Sequence, residues 1–391
     1  MKYKNNILLV TGNIVSKIGS SIHRIALNSW LISISHNAAL LGWVNAITHI
    51  PMLLFNFISG YLADTRDKKR IIVITDLISG LVCILFAIFV NVNRIYIPLI
   101  IVVNITMAIC SSLFSPSLRA LVPAIISKDT IKKTNAILSN LSELVKIIAP
   151  ALTAYLLSLD FITIKTLFIA NGISFLISSI SEMFIDYTYS VENNKKTSFG
   201  DIFDNIKDGF HYLKSNVILF KLIIFAMITN FFLSGYNVLL PYYSEVVLND
   251  SKLYGIALSF EAAGAIVASL FIYLSKKKIV ELNDIVKATI PQGICLAIAV
   301  YPHSYFLLIS VFLFGYFLSR FNVLFFTYVQ SYCDEKYLGR VFAVIFTIVG
   351  ILMPIGNVTF GYLSQTLKNY TFIVIGCGIL IATFGLFTKK R

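Results

Sequence analysis

The chain has 391 residues, of which 57% are hydrophobic and only 13% are charged. A soluble protein of this length needs about twice that charged share to cover its surface, so the composition excludes an ordinary soluble enzyme. The formal net charge of +13 comes from basic residues between apolar runs. This arrangement is typical of membrane-protein loops on the cytoplasmic side, rather than of a nucleic-acid-binding surface.

Twelve apolar runs follow one another along the chain, and each is long enough to cross about 30 Å of hydrocarbon as a helix. They predict an all-α transmembrane protein. The predicted spans are 7–33, 40–63, 71–91, 95–121, 134–158, 165–187, 217–245, 252–275, 285–302, 305–331, 339–366 and 370–388.

The distribution of basic residues predicts the topology. Most of the 32 Lys and Arg residues lie at the termini, in alternate loops, or between spans six and seven. The opposite loops hold only Arg94, Lys165, Lys252 and Lys368. Because Lys and Arg are retained on the cytoplasmic side, both termini are predicted to be cytoplasmic, in the plasma membrane of a bacterium.

One long polar segment, 188–216, divides the chain into an N-terminal bundle at 1–187 and a C-terminal bundle at 217–391. Its second part predicts an amphipathic surface helix. Phe199, Ile202, Phe203, Ile206 and Phe210 form the apolar side, and Asp201, Asp204, Lys207 and Asp208 the polar side.

The two halves are weakly repeated. Pro150 in span five has a counterpart near Pro354 in span eleven, and Asn135-Ala136 has one at Phe342-Ala343. Such repeats are typical of secondary transporters, whose substrate site lies near mid-membrane where the repeats meet. The expected architecture is therefore two six-helix bundles related by a pseudo-two-fold axis.

Span one carries a polar stripe within its apolar run. Its members are spaced by three or four residues and so share one helix face; they are Asn13, Lys17, Ser20, Arg24 and Asn28. A polar stripe of this length cannot face lipid. It must line water, a substrate or another polar helix.

Ionisable residues inside spans are functional candidates because each one is costly in hydrocarbon. Span eight contains Glu261, and span five contains Glu143 one turn from Lys146. Glu261, and then Glu143, are the candidate sites for a proton or a cationic substrate, because a carboxyl group in low dielectric can take up and release protons near neutral pH. The alternative is that both belong to structural ion pairs.

Further polar candidates lie in other spans. Span seven contributes Asn237 and span ten Arg320. Arg320, Lys17 and Arg24 could hold an anionic group of a substrate or neutralise the acids, and the sequence does not rank these choices. Glu182, near the end of span six, is interpreted as an interfacial residue.

The end of span two reads Gly60-Tyr-Leu-Ala-Asp64-Thr-Arg66-Asp-Lys68-Lys69-Arg70. It resembles the signature loop of the major facilitator superfamily, with Asp67 where the family usually has a second glycine. Three further stretches resemble its macrolide-efflux and enterobactin-exporter-like branch. They are Phe114 to Pro123 with Arg119, Ile148-Ala-Pro150-Ala, and Gly339-Arg340-Val-Phe with Pro354-Ile-Gly356.

The resemblance implies a twelve-helix major facilitator fold and transport, most often export. It also implies a gate in which Asp64 contacts the positive end of another helix, with the span that starts near Gly339 as partner. The alternative is that Arg66, Lys68, Lys69 and Arg70 only hold the loop in the cytoplasm. Pro150, Pro354 and Gly356 are candidate hinge positions.

Three functional hypotheses remain. The first is a proton-coupled exporter of a drug, siderophore or other amphiphilic compound. The second is a uniporter or nutrient importer of the same fold, and the third is a membrane protein that binds a ligand without transporting it. The sequence has no GxxxxGK[ST] and no HExxH, so neither ATP hydrolysis nor an enzyme activity is expected.

The expected partners are a small-molecule substrate, protons or Na⁺, and the lipid bilayer, and the protein is expected to be a monomer. No cofactor, metal or nucleic acid is expected. The five cysteines and five histidines are dispersed, without the spacing of a metal site or a disulfide framework.

Overall fold

The computed structural model describes residues 2–126, 128–157, 159, 162–187, 199–250, 252–274, 280–334 and 337–387. The first six helices are α1 (Lys2–Ser35), α2 (Ala38–Thr65), α3 (Lys68–Phe89), α4 (Ile97–Ile125), α5 (Lys128–Leu157) and α6 (Ile164–Met183). They match the first six predicted spans to within a few residues.

The remaining helices are α7 (Phe199–Ser215), α8 (Val217–Tyr242), α9 (Leu253–Leu274), α10 (Leu282–Cys295), α11 (Ser304–Tyr332), α12 (Leu338–Ile351), α13 (Met353–Leu367) and α14 (Thr371–Phe387). A π-helical turn, Tyr243–Val247, extends α8, and a 3₁₀ turn, Leu296–Val300, extends α10. The all-helical class is confirmed, and α7 is the predicted amphipathic helix. The first part of the linker, 188–198, lies outside the described residues.

Eight segments of the described chain are long and apolar enough to cross a membrane. Helices α1, α5 and α10 are not among them, although a shorter apolar stretch, Leu144–Leu157, lies in α5. In α1 and α5 polar residues interrupt the apolar run, as the sequence predicts for spans one and five, and α10 has only 14 residues before its 3₁₀ turn.

The chain forms two compact units. The first contains Met1–Ile34 and Ile47–Ile202, and the second contains Ser35–Ala46 and Phe203–Arg391. The short segment Ser35–Ala46, at the start of α2, packs on α13 within the second unit, where Gln365 donates a hydrogen bond to Asn37 Oδ1 at 2.5 Å.

Glycine pairs allow close contact between helices in both units. A Cβ atom on Gly80 of α3 would lie 2.9 Å from the carbonyl oxygen of Gly172 in α6. In the second unit, a Cβ atom on Gly293 of α10 would lie 2.8 Å from the carbonyl oxygen of Gly376 in α14. Small residues permit such backbone contact in membranes, where helix association depends on packing rather than on the hydrophobic effect.

Phenylalanine rings fill two notches made by glycines in the second unit. The Phe360 ring of α13 lies against Gly235 of α8, and the Phe232 ring of α8 lies against Gly378 of α14. Phe231, Phe232 and Phe360 are in mutual ring contact, with centroids 5.2–5.8 Å apart. These contacts hold α8, α13 and α14 together.

The predicted eleventh span is interrupted at Leu352, between α12 and α13. The cause is Pro354, which has no N–H group and whose ring clashes with the carbonyl four residues earlier, at Gly350. Pro150 lies inside α5 without ending the helix. The structure therefore distinguishes the two prolines that the sequence presents as counterparts.

Helix α7 packs against the start of α12. A Cβ atom on Gly209 would lie 2.8 Å from the carbonyl oxygen of Arg340, and the Arg340 guanidinium pairs with Asp208 at 3.3 Å. The Tyr212 and Tyr337 rings stack at 4.5 Å, and the Asp334 N–H donates to the Tyr212 hydroxyl at 3.0 Å. Burial raises the pKa of the Tyr212 phenol, so this acceptor stays neutral.

The contact between α9 and α11 gives a direct test of helix packing through glycine. A Cβ atom on Gly264 would overlap the Phe312 carbonyl oxygen, whereas a Cβ atom on Gly385 of α14 would meet nothing within 4 Å. Gly264→Ala should destabilise the protein by about 1–3 kcal/mol through overpacking. Gly385→Ala should be neutral or stabilising by about 0.5–1 kcal/mol, since alanine favours a helix. Thermal unfolding of the two purified variants in detergent measures the difference, and equal midpoints would contradict the packing described.

Candidate functional site

The polar stripe predicted for span one lies on α1, and the structure divides it into exposed and buried members. Lys17 and Arg24 are exposed, and Lys17 Nζ donates to Ser142 Oγ of α5 at 2.6 Å. Asn13 and Asn28 are buried. Half-buried Ser20 donates to the carbonyl oxygen one turn earlier in α1 at 2.7 Å. The two cations therefore lie on an open face of the first unit.

Helix α5 continues this polar face. Ser142 lies beside Lys17, and Lys146, one turn further, is exposed. Pro150 is buried. The Glu143 side chain lies outside the described residues, so its predicted pairing with Lys146 stays a prediction. Exposed cations at the depth of the hydrocarbon cannot face lipid, and this face must be hydrated.

In the second unit, Glu261 of α9 accepts a hydrogen bond from the Tyr236 hydroxyl of α8 at 2.7 Å. The Tyr236 side chain is fully buried, and its ring lies 4.4 Å from that of Phe314 in α11. A Cβ atom on Gly315 would overlap the Glu261 carbonyl oxygen. The close contact of α9 and α11 thus fixes the backbone that carries Glu261, and Tyr236 orients its carboxyl group.

Two other candidates lie in the second unit. Asn237 of α8 is exposed, one residue from Tyr236. Arg320 of α11 is half-buried, and its Nε has no hydrogen-bond partner among the described residues. The residue that the structure shows at the Glu261 carboxyl group is Tyr236.

The signature loop joins α2 to α3. Asp67, at the position where the family usually has glycine, caps α3 by accepting a hydrogen bond from the Arg70 N–H at 3.1 Å. Its other oxygen pairs with Arg70 Nε at 3.3 Å. Arg66 and Arg119 are exposed, and Lys68 and Lys69 are half-buried.

The structure describes only some of the remaining gating candidates. The surroundings of Gly60 and Gly339 and the side chain of Asp64 are not among the described parts of the structure, so the predicted contact of Asp64 with the start of span eleven stays a prediction. Arg340, the gating candidate at that position, pairs with Asp208 of α7. Candidate hinge residues Pro354 and Gly356 lie at the start of α13, where Gly356 is in close contact with Ser234 and Phe231 of α8.

The structure reveals a pair of buried acids that the sequence analysis did not propose as functional candidates. Asp76 of α3 is 3% exposed, and Glu182 of α6 is 1% exposed. Asp76 could have been found with the argument used for Glu261, since it is a lone acid inside a predicted span. The burial of Glu182 depends on the packing of α1 and α3 on α6, which the sequence does not show.

Comparison with known proteins identifies the fold and the family. The family described as transmembrane secretion effector matches residues 4–390. The chain belongs to this family of major facilitator transporters. It is a multi-pass membrane transporter of a small molecule and is not an enzyme, as the sequence predicts.

Three bacterial relatives are similar over most of this transporter. The MFS-type transporter YvqJ of Bacillus subtilis is 30% identical over 71% of the chain and 67% of its own length. The staphyloferrin A transporter of Staphylococcus aureus is 25% identical over 100% of the chain and 95% of its own length. Macrolide efflux protein A of Streptococcus pyogenes is 23% identical over 94% of the chain and 92% of its own length.

Solved structures confirm the fold. The nucleoside transporter NupG superposes with a TM-score of 0.75 at 14% identity, covering 99% of this chain and 100% of its own. A D-xylose-proton symporter has a TM-score of 0.71 at 13% identity, and the match covers 99% of this chain and 98% of the symporter. At these identities the likeness shows the major facilitator fold alone.

Thiol labelling tests whether the exposed polar residues face water. Cys377 is the one exposed cysteine among the described residues, so Cys377→Ser provides the background. In intact membranes, Arg24→Cys and Asn237→Cys should react with a charged thiol reagent. Ile177→Cys should not, because Ile177 is an exposed apolar side chain of α6 (52%) that faces hydrocarbon. Failure of both polar positions to react in open membrane preparations would show that neither the Arg24 face nor the Asn237 face is hydrated.

Proposed function

We propose that this transporter exports an amphiphilic small molecule, of the macrolide or siderophore class, in exchange for protons by alternating access. The family description and the relatives named as macrolide efflux protein and staphyloferrin A transporter support the class of substrate. The contact between Glu261 and Tyr236 supports the coupling to protons and is the observation on which the proposal depends.

Glu261 suits proton exchange because its carboxyl group lies in the middle of a membrane helix, where ionisation is costly. A proton from one side of the membrane forms an O–H bond with one carboxyl oxygen, and the neutral acid is then stable in a dry environment. When the site opens to water on the other side, this bond breaks and the proton leaves. The Tyr236 hydroxyl donates to Glu261 Oε2 and so orients the carboxyl group that would carry the proton.

The exposed cations of the first unit suit a substrate with acidic groups. Lys17 and Arg24 lie seven residues apart on α1, about 10 Å along the helix axis, and both are exposed. A carboxylate-rich siderophore could be bound by both at once, while an uncharged face of the substrate would contact aromatic side chains. The proposed orientation has both termini in the cytoplasm of a bacterial cell, as the basic loops predict.

Everted membrane vesicles test the direction and the coupling. Their interior is acidified by respiration, so an exporter that exchanges substrate for protons should accumulate labelled erythromycin, as a macrolide probe, or staphyloferrin A, as a siderophore probe. A protonophore should abolish the accumulation. Equilibration that survives the protonophore would identify a uniporter, and tight binding without flux would identify a binding protein; either result would refute the proposal.

Substitutions at the α8–α9 contact test the role of Glu261. Glu261→Gln should reduce gradient-driven accumulation about 5- to 150-fold, the usual size of a lost coupling between sites, and preserve exchange of substrate without a gradient. Tyr236→Phe should have a smaller effect, because the carboxyl group remains. Glu281→Gln is the matched control, since Glu281 is an exposed acid at the N-cap of α10. Unchanged accumulation in Glu261→Gln would exclude Glu261 as a coupling group.

A further inference from the structure

A second pair of acids lies inside the first unit, at the contact of α3 and α6. Asp76 is two turns into α3, about 12 Å from its first residue along the axis, and Glu182 is in the last turn of α6. Ser179 Oγ donates to the Val73 carbonyl oxygen at 3.0 Å. Together with the contact of Gly80 and Gly172, this bond holds the two helices close together on either side of Asp76, and Glu182 lies one turn beyond Ser179.

The two carboxyl groups share one hydroxyl neighbour. Ser178 Oγ lies 3.5 Å from Glu182 Oε1, and it is also within hydrogen-bonding reach of Asp76. The carboxyl groups are close enough to interact electrostatically. Each keeps one buried oxygen, Asp76 Oδ2 and Glu182 Oε2, without a hydrogen-bond partner among the described residues.

Among the side chains that the structure describes, the other titratable groups around the pair do not supply a balancing cation. Cys110 of α4 is close to Asp76, and at the end of α6 Lys4 pairs with Asp186 at 4.0 Å. His23 is in contact with Cys83 and with the Phe168 ring. The remaining described cations of α1, α3 and α4 are either exposed or at the start of α3. The exposed ones are Lys17, Arg24, Arg70 and Arg119, and those at the start of α3 are Lys68 and Lys69.

Physical chemistry then requires a bound proton. Two ionised carboxylates removed from water and close together are penalised both by desolvation and by mutual repulsion, and in such a pair one group stays protonated. An O–H group on one carboxyl can also donate to an oxygen of the other, which would satisfy a buried acceptor. The arrangement is therefore stable only with at least one proton bound.

The second unit shows that helix packing does not require these acids. Gly80 and Gly172 correspond to Gly293 and Gly376, which make the same backbone contact between α10 and α14. Counting from these glycines, Thr289 corresponds to Asp76 and Leu386 to Glu182. Thr289 is fully buried and donates to the Ile285 carbonyl oxygen of its own helix. A neutral residue is sufficient at that position of the contact.

We propose that Asp76 and Glu182 form a proton-binding pair in the first unit that takes up and releases a proton exchanged for substrate. This inference rests on the proposed antiport and adds a second proton site to Glu261. Uptake forms an O–H bond on one carboxyl oxygen, and release returns that proton to water. The polar end of the bundle, where Asn5 donates to the Asp186 carbonyl oxygen at 3.0 Å, lies one turn beyond Glu182 and provides the route to water.

Infrared spectroscopy of the purified protein in lipid nanodiscs tests the pair without any substrate. The wild-type protein should show the carbonyl stretch of a buried carboxylic acid at neutral pH, shifted by exchange into heavy water. The isosteric double variant Asp76→Asn/Glu182→Gln should lose that component, and Glu281→Gln should keep it, because Glu281 is an exposed side chain outside the pair. Each single variant distinguishes the acid that carries the proton, and thermal unfolding checks that the variants are folded.

Transport in proteoliposomes tests the exchange of that proton, with erythromycin or staphyloferrin A as the probe. Accumulation driven by an imposed pH gradient should fall about 5- to 150-fold in the double variant, the usual range for a lost coupling, with gradient-free exchange preserved.

If no probe moves in the wild type but the infrared component depends on the pair, the proposed antiport fails and the proton pair stands. An unchanged infrared component or undiminished gradient-driven accumulation in the double variant would overturn the inference. The inference would also be overturned if the wild-type protein lacked the infrared carbonyl stretch and were stabilised by Na⁺.

Discussion

Direct backbone contact between helices, made possible by glycine, is the constraint on which the candidate sites depend. In hydrocarbon, helices gain nothing from hiding apolar surface from one another, so their association depends on close packing and on interhelical hydrogen bonds. Gly80 meets Gly172 in the first unit, and Gly264 and Gly315 bring α9 against α11 in the second. Each contact removes the space in which water or lipid would otherwise lie, and an acidic side chain stands beside each one.

The acids acquire their chemistry from that exclusion of water. Glu261 is adjacent to the α9–α11 contact and accepts a hydrogen bond from the Tyr236 phenol, whereas Asp76 and Glu182 lie at the α3–α6 contact and share a serine. A single acid bound by a neutral donor can exist in either protonation state. Two acids at one position cannot both be ionised. The two units thus contain different proton chemistry on similar helix packing.

The sequence predicts the helices well because the lengths and boundaries of apolar runs are local properties. The polar stripe of span one was also predictable, since its spacing places Lys17 and Arg24 on one face. The partners of these residues were not predictable. Ser142 reaches Lys17, and Asp208 reaches Arg340, only through the tertiary arrangement. Glu182 shows the same limit, because a position near the end of a span gives no information on whether neighbouring helices cover it.

Helices α12 and α13 are held in the second unit by different kinds of contact, although one predicted span contains both. Rings seated in glycine notches join α13 to α8 and α8 to α14. Val341, Val344 and Ile345 of α12 are instead buried among side chains of α8 and α11, and the interruption at Leu352 separates the two sets of contacts. A substitution that loosens one half of this span should therefore leave the contacts of the other half in place.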